Sequence, residues 1–155
     1  MIKRVFEMPN GKITEYDLVD GGSAVCIFAV TKDMKVIMVR QFRPAQEKVL
    51  LEMPGGGIEK GETPEQAAKR ELLQETGYVG KLYFLGKSLL VAYDTLVQYR
   101  FIAVECEYVQ NTTSFDFEET EPVELTIEDF KKHLQGSELT EIATGYMGLE
   151  YLGRL

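Results

Sequence analysis

Two glutamates in the middle of the chain have the type and spacing of a metal site. Glu71 and Glu75 are four positions apart in a stretch with helical signals, so both face the same side of a helix, about one turn apart. Like charges placed in this way repel each other, and a divalent cation between them would remove that repulsion. Mg²⁺ and Mn²⁺ prefer oxygen ligands and usually bind through a few carboxylates together with substrate phosphates. The pair is therefore a candidate metal site for phosphate chemistry.

The helix that carries the pair can be placed from its end signals. Thr63 is a capping residue, Pro64 suits the first helical position, and Gln66 completes a capping box. Gly77 provides a left-handed residue that ends the helix. These signals predict a helix from Pro64 to about Thr76.

A glycine-rich loop precedes this helix. The sequence Pro-Gly-Gly-Gly at 54–57 lets the backbone approach a ligand closely and can direct a carbonyl, that of Gly55, at a metal. The simpler alternative is an ordinary turn before a solvated acidic helix, and a single glutamate pair would favour it. The spacing of the whole segment favours the metal site.

That spacing resembles the box of the Nudix hydrolases. The matching positions are Gly56, Glu62, Arg70, Glu71, Leu72, Glu75 and Gly77. The resemblance implies that Glu71, Glu75 and the Gly55 carbonyl hold Mg²⁺ or Mn²⁺. It also implies that Arg70 orients the catalytic carboxylates and that Glu62 supports the loop and the metal shell.

The chain departs from the family pattern at Gln74, where the family usually has a first glutamate before the one retained as Glu75. An amide carries no charge, so the number of metal ions and their affinity stay open. At position 78 the family usually has an aliphatic residue and this chain has Tyr78, which is also apolar, so this departure matters little.

Segments outside the box resemble the ADP-ribose pyrophosphatase branch, which includes hydrolases of other nucleoside diphosphate sugars. These segments are 9–11, 22–25, 39–43 and 51–56. In that branch an N-terminal hairpin commonly helps to build a homodimer, although a plain edge hairpin is an equal explanation here. The branch often has a Ser-Pro-Gly turn after the box, where this chain has Val-Ala-Tyr-Asp-Thr at 91–95, so the sugar stays open.

The general base is expected on an acidic segment well after the box. Glu119 and Glu121 match the branch pattern best, and the alternative is that this segment is solvated surface. The single histidine, His133, is expected on the surface of a later helix and outside the chemistry.

Three further side chains are candidates for substrate contacts. Arg40 and Arg43 follow an apolar strand and could meet phosphate or ribose, or could each pair with a carboxylate instead. Tyr93 could stack on a base or be an ordinary strand-end tyrosine. Arg100 is a weaker candidate for an anion contact.

The composition fits one compact enzyme domain. The chain has 155 residues, is 45% hydrophobic and carries a net charge of −8, which argues against a nucleic-acid partner that needs a basic surface. No run of about 18 apolar residues or signal-peptide core is present, so no membrane partner and a cytoplasmic location are expected. Cys26 and Cys106 lie in apolar runs and are expected to be buried thiols.

The order of elements predicts an α/β fold in which a mixed sheet has helices on both faces. An N-terminal hairpin is expected at 2–8 and 13–19 around an Asn-Gly turn. Further strands are expected at 23–31, 36–40, 50–53, 82–91, 96–106 and 123–125, and further helices at 126–136 and 140–152. The resemblance implies the Nudix fold, an α/β/α sandwich, as a single domain over 1–155 with the hairpin within 1–20.

Taken together, these features predict a metal-dependent hydrolase that cleaves the diphosphate bond of a nucleoside diphosphate sugar such as ADP-ribose. The alternatives are a Nudix hydrolase of nucleoside triphosphates or dinucleoside polyphosphates, and a Nudix-fold sensor without turnover. A sensor would be free to lose its carboxylates, and Glu62, Glu71 and Glu75 are all present.

Overall fold

The computed structural model describes residues 1–111, 120–136 and 138–155. The strands are β1 (Ile2–Glu7), β2 (Ile13–Leu18), β3 (Ser23–Thr31), β4 (Val36–Arg43), β5 (Lys48–Glu52), β6 (Gly55–Gly57), β7 (Tyr78–Leu89), β8 (Val97–Tyr108) and β9 (Glu121–Leu125). The helices are α1 (Pro64–Thr76), α2 (Ile127–Leu134) and α3 (Ala143–Tyr151), and a 3-10 turn covers Pro44–Gln46.

The central sheet is mixed, as the order of elements predicts. Its described strands run in the order β5-β4-β3-β8-β7, with β6 pairing with β3 and β9 with β4. The β3 and β8 strands are parallel, and the other pairs in the sheet are antiparallel. Because β3 lies at the centre, its first residues carry β6 and thereby the glycine loop.

The strand β3 supplies both layers of the core because its side chains alternate between the two faces of the sheet. Val25 and Ile27 pack with the α1 side chains Ala67 and Leu72 in one buried cluster. Phe28 and its neighbours on the other face pack with side chains of α2 and α3, listed here: Phe130, Leu134 and Leu149. The predicted α/β/α sandwich is confirmed.

The ends of α1 follow from its sequence. The Thr63 hydroxyl accepts the Gln66 N–H, and the Gln66 side chain accepts the Thr63 N–H at 2.8 Å, which completes the predicted capping box. Gly77 ends the helix at φ 75°, a left-handed conformation that glycine adopts without strain. The helix that carries the candidate ligands is thus fixed by local signals at both ends.

The N-terminal hairpin forms a two-stranded sheet of its own, as predicted. The β1 and β2 strands pair along their whole length, and Gly11 adopts φ 77° in the turn. The hairpin is tied to the segment after β7, where the Val19 N–H donates to the Tyr93 carbonyl at 2.9 Å and the Thr95 N–H donates to the Val19 carbonyl at 3.0 Å.

Several boundaries differ from the predicted ones. The β7 strand begins directly after Gly77, because its first residues pair with the end of β8, with Tyr78 opposite Tyr108. The α3 helix begins later than predicted, at Ala143, where the Glu141 carboxylate accepts two backbone N–H groups.

Both cysteines are buried thiols, as predicted. No helix in the described residues is long and apolar enough to cross a membrane.

Candidate active site

The α1 helix packs its two glutamates against the glycine strand β6. The Gly55 N–H donates to Glu75 Oε2 at 2.9 Å, and Glu75 is only 8% exposed. A Cβ atom on Gly56 would lie 2.3 Å from Glu71 Oε1, so a side chain at this position would clash with the carboxylate. The sequence therefore needs glycine here because carboxylate and backbone are in direct contact.

The register of β6 leaves the polar groups of Gly55 facing away from β3. The Ile27 N–H donates to the Pro54 carbonyl at 2.9 Å, and the next pair along the ladder is Cys26 opposite Gly55. Hydrogen-bonded and non-hydrogen-bonded pairs alternate in an antiparallel ladder. Gly55 is therefore in a non-hydrogen-bonded pair with Cys26. Its carbonyl and its N–H both point away from β3, and this N–H donates to Glu75.

A single guanidinium joins the helix, the loop and the glycine strand. Arg70 donates to both carboxylate oxygens of Glu62 at 2.9 and 2.8 Å and to Glu71 Oε1 at 2.7 Å. It also donates to the Gly57 carbonyl at 2.8 Å and to Gln74 Oε1 at 3.3 Å. These charge-assisted bonds raise the pKa of Arg70, chiefly through Glu62, and fix the direction of the Glu71 carboxylate.

Glu62 braces the loop that precedes α1. Its Oε2 atom accepts the Glu59 N–H at 3.0 Å in addition to the bond from Arg70. The hydrogen bonds from Arg70 lower the pKa of Glu62, so the group stays ionised at neutral pH. Both oxygens of Glu62 are engaged in holding the loop, a supporting position behind Glu71.

The donor atoms at this site suit a hard divalent cation. The carboxylates of Glu71 and Glu75 and the Gly55 carbonyl are oxygen donors around one point of contact between α1 and β6. In the described parts of the chain, no group of three or more His, Cys, Asp or Glu side chains is arranged to hold a metal ion. A cation here would therefore complete its coordination shell with water and substrate phosphates, as Mg²⁺ usually does in proteins.

A cavity of about 170 Å³ lies beside the glycine strand. It is lined by residues of β3, β4, β5, β6, β8 and the segment before α3: Ala24, Val25, Cys26, Arg43, Glu52, Met53, Gly55, Gly56, Gln98, Leu139, Thr140 and Glu141. Because Gly55 and Gly56 also contact the α1 carboxylates, the cavity and the candidate metal site share one wall.

Two ion pairs border this cavity. Arg43 Nε donates to Glu52 Oε2 at 2.6 Å, and the Thr140 hydroxyl donates to the other oxygen of Glu52. Arg100 Nη2 donates to Glu141 Oε1 at 3.1 Å. The sequence left open whether Arg43 pairs with a carboxylate, and in the structure it does. Arg100 also pairs with a carboxylate and does not form an exposed anion site.

The remaining candidates contact other parts of the chain. Arg40 pairs with Glu121 at 3.2 Å on the exposed edge between β4 and β9. Tyr93 is 58% exposed, and its ring lies 6.0 Å from that of Tyr16 in the hairpin. Glu119 lies outside the described residues.

The residue just before β9 contacts α1. The Thr120 hydroxyl donates to the backbone carbonyl of Glu75 at 3.2 Å. His133 is half-buried on α2, and its Nε2 lies 2.7 Å from the Leu51 carbonyl, so it is only partly at the surface. It packs under β5, on the layer opposite α1.

Apart from Arg43, the polar side chains of the cavity were not predicted from the sequence. Glu52 stands in an apolar strand directly before the glycine loop, and an acidic residue in that position is a signal that could have been used. Gln98 is likewise a buried polar residue at the start of an apolar strand. Glu141 and Thr140 gave no such signal, because only the packing of α3 brings them to the site.

The chain is similar to known proteins over most of its length. The NUDIX domain family model matches residues 21–142. The ADP-ribose pyrophosphatase of Bacillus subtilis (strain 168) is 36% identical over 153 residues, which cover 94% of this chain and 80% of that protein. A methanol dehydrogenase activator of Bacillus methanolicus is 29% identical over 151 residues, which cover 93% and 82%.

The fold has a counterpart among solved structures. The crystal structure of an ADP compounds hydrolase superposes with a TM-score of 0.81 at 23% identity, over 99% of this chain and 87% of that one. The chain belongs to the Nudix family. The predicted class, a Nudix pyrophosphohydrolase of the ADP-ribose pyrophosphatase branch, is confirmed.

Proposed function

We propose that this Nudix enzyme hydrolyses the diphosphate bond of a nucleoside diphosphate sugar of the ADP-ribose type. The observation that carries the proposal is the pair Glu71 and Glu75, braced by Arg70 and packed against the Gly55 backbone. Similarity over nearly the whole chain to an ADP-ribose pyrophosphatase supports this substrate class.

The reaction consumes one water and leaves two phosphate monoesters. The water oxygen bonds to one phosphorus, the bond from that phosphorus to the bridging oxygen breaks, and the bridging oxygen leaves with the other phosphate. The products are a nucleoside monophosphate and a sugar phosphate. The proton lost by the water passes to a general base.

Nudix ADP-ribose pyrophosphatases depend on divalent metal, and we propose Mg²⁺ or Mn²⁺ for this one. Glu71, Glu75 and the Gly55 carbonyl would hold the ion, which when bound neutralises phosphate charge and lowers the pKa of a coordinated water. Arg70 keeps the Glu71 carboxylate aimed at the glycine strand, and Glu62 keeps Arg70 in place.

We assign the base to the segment that leads into β9, with Glu119 and Glu121 as its candidates. The contact from Thr120 to the Glu75 backbone supports this assignment because it brings the segment beside α1. Glu121 also pairs with Arg40, so a substrate that engages Arg40 would release this carboxylate. Replacing the base with glutamine should lower kcat about 10²- to 10⁴-fold with little change in KM.

Arg43 and Tyr93 are proposed as substrate contacts together with Arg40. Arg43 borders the cavity beside Gly55, where a planar guanidinium suits a phosphate or a ribose. Tyr93 presents an exposed ring next to the hairpin, where it suits a base. Arg40 and Arg43 are paired with Glu121 and Glu52, so they would offset the repulsion between an anionic substrate and a chain of net charge −8 where the substrate replaces those carboxylates.

We further propose a homodimer that forms through the hairpin and acts in the cytoplasm. The hairpin exposes apolar side chains, with Val5 63% and Ile13 68% exposed. Pairing of two hairpins would cover this surface, which is unusual for the solvent-facing side of a small sheet. Light scattering of the wild-type chain and of a Val5→Lys, Ile13→Lys variant tests the dimer.

A substrate panel tests the proposed function. The wild-type protein is incubated with Mg²⁺ and ADP-ribose, ADP-glucose, ATP or diadenosine polyphosphates, and the products are identified. AMP plus a sugar phosphate from the diphosphate sugars supports the proposal. Pyrophosphate released from ATP as the main activity would overturn it in favour of a triphosphate hydrolase, and binding of ADP-ribose without turnover would indicate a sensor.

A further inference from the structure

We propose that Tyr78 is a positioning residue, whose hydroxyl holds the start of β9 beside the end of α1 through a hydrogen bond to Glu124. This inference rests on the proposed function, in which the segment that leads into β9 carries the general base and α1 carries the candidate metal ligands. It gives a task in the reaction to a side chain that is not one of those ligands.

The hydroxyl of Tyr78 is the group by which this position differs from the usual aliphatic residue of the family. The Tyr78 ring packs against the buried cluster on the α1 face of the sheet, as an aliphatic side chain could. The hydroxyl extends beyond that cluster and donates to Glu124 Oε1 at 2.7 Å. An aliphatic residue could not form this bond, so the contact with β9 is a feature that the tyrosine adds.

The backbone between Tyr78 and the candidate ligand Glu75 is short and hydrogen-bonded. The Tyr78 N–H donates to Thr76 Oγ1 at 3.1 Å, and the Gly77 N–H donates to the Leu73 carbonyl at 2.9 Å. The Thr76 side chain is fully buried. Tyr78 therefore has a fixed position relative to the last turn of α1, where Glu75 lies.

The end of β8 holds the same turn from another side. The Val109 N–H donates to the Gly77 carbonyl at 2.9 Å, and a Cβ atom on Gly77 would lie 2.0 Å from the Gln110 carbonyl oxygen. The ring of Tyr108 packs edge-on against that of Tyr78, with the ring centroids 5.4 Å apart. These contacts give the Tyr78 ring, and with it the hydroxyl, a defined direction.

The start of β9 meets this end of α1 at two points. The Thr120 hydroxyl donates to the Glu75 carbonyl at 3.2 Å, and the Glu124 carboxylate accepts the Tyr78 hydroxyl. Thr120 and Glu124 are four positions apart in extended chain, so their side chains lie on the same face. Glu121, a candidate for the base, lies between them in the sequence. Two contacts fix both the position and the direction of this segment, whereas one would leave it free to pivot.

The sheet alone restrains β9 on one side. Among the described strands, β9 pairs only with β4. The ion pair of Arg40 and Glu121 at this edge is exposed, and pairs of that kind restrain little. The bond from Tyr78 comes from the layer of α1 and so restrains β9 out of the plane of the sheet. This direction matters because displacement of a reacting group by about 1 Å can cost about a hundredfold in rate.

Kinetics of Tyr78→Phe with ADP-ribose and saturating Mg²⁺ test the proposal, at a temperature where every variant is fully folded. We expect kcat to fall about tenfold and KM to stay within about twofold, because a displaced base weakens the transition state and not substrate binding. Tyr83→Phe is the matched control. It changes a tyrosine of the same strand that is 44% exposed and stacks on Tyr151, and it should keep the wild-type kcat.

Variants of the acceptor show whether Tyr78 acts through Glu124. Glu124→Leu removes the acceptor and should lower kcat as much as Tyr78→Phe does. Glu124→Gln keeps an oxygen that can accept the bond and should stay within about twofold of the wild type. The double variant Tyr78→Phe, Glu124→Leu should lose no more than either single variant, since the two side chains act as one unit.

Hydrogen exchange measures the position of β9 without turnover. In metal-free protein the backbone amides of β9 should exchange several-fold faster in Tyr78→Phe than in the wild type, and those of β3 should be unchanged. Unchanged exchange in β9 would overturn the proposal.

The kinetic outcomes are equally decisive. A kcat of Tyr78→Phe within twofold of the wild type overturns the positioning role, and a raised KM at unchanged kcat would indicate a substrate contact instead. Losses that multiply in the double variant, or a Glu124→Gln loss equal to that of Glu124→Leu, would show that the hydrogen bond is not what matters. Failure of the wild type to hydrolyse ADP-ribose would refute the proposed function itself, and hydrogen exchange would still show whether Tyr78 holds β9.

Discussion

At the scale of single residues, Arg70 determines how the site is organised. Five hydrogen bonds leave its guanidinium toward Glu62, Glu71, Gln74 and the Gly57 carbonyl. A lysine could not reproduce this planar set of donors. The segment with the matching box residues therefore contains a counter-charge of its own, and Arg70 orients the Glu71 carboxylate.

The first residue-scale prediction concerns Glu75. Glu75→Gln should lower kcat at least about hundredfold with Mg²⁺, because it removes one of the two charged metal donors. The fold should survive, since the amide oxygen can still accept the Gly55 N–H. Steady-state kinetics and thermal unfolding measure the two effects. Glu65→Gln, which changes an exposed glutamate paired with Lys69 on the same helix, is the control and should keep near-normal kcat.

The second residue-scale prediction concerns Gln74, where the chain departs from the usual box. Gln74 accepts a hydrogen bond from Arg70, so it lies at the border of the site and not at its centre. Gln74→Glu should tighten Mn²⁺ binding several-fold by adding charge and leave kcat within a few fold. Titration of activity and of heat with Mn²⁺ measures both. A rate gain of a hundredfold or more would contradict the view that Glu71 and Glu75 suffice.

At the scale of elements, the sequence predicts those helix and strand ends that are set by residues close together in the chain. The α1 helix was predicted to within a residue because its cap, its first proline and its terminal glycine act over a few positions. The β7 strand was predicted to start too late, because Tyr78 and Val79 are extended only through pairing with the distant end of β8. Local patterns carry no information about such a partner.

The candidate site likewise has one part that local sequence patterns predict and one part that they do not. The pair Glu71 and Glu75 could be predicted because it lies on one helix, next to the loop it contacts. The cavity could not, since its polar contacts join residues far apart in the chain: Thr140 is 88 positions from Glu52, and Glu141 is 41 from Arg100. Spacing within a single sequence does not show which strands and helices will meet.

The element-scale prediction concerns the tie between β7 and β9. Tyr78 Oη donates to Glu124 Oε1 at 2.7 Å, and burial together with this bond raises the pKa of Tyr78 to about 12. The unfolded value is about 10, so the folded state favours the neutral phenol. The stability gained from this tie is complete below pH 10 and is lost as the pH rises from 10 to 12.

Urea unfolding of wild type and Tyr78→Phe tests this expectation. The variant should be less stable at pH 8, and the difference between the two proteins should shrink at pH 11. Tyr146→Phe, which changes an exposed tyrosine on α3, should show no such convergence. A wild-type advantage that grows with pH would refute the assignment.

At the scale of the whole molecule, the core and the candidate metal site are separate. The two apolar clusters on the faces of the sheet are built from strands and all three helices. The glutamates of α1 lie at the margin of one cluster, where their helix meets the glycine strand. We therefore expect burial of apolar surface to stabilise the fold and folding not to require metal binding.

This separation gives the last prediction. Removal of divalent metal with EDTA should abolish hydrolysis and leave the far-UV circular dichroism spectrum unchanged, because the apolar layers do not depend on the ion. Returning Mg²⁺ should restore turnover. Through binding to the native state it should also raise the free energy of unfolding by about 2.7 kcal/mol when its concentration is 100 times the Kd, and the unfolding temperature should rise accordingly. In Glu75→Gln the temperature shift should largely disappear. Full turnover in metal-free protein would refute the catalytic role, and loss of the fold on chelation would show that the ion is structural.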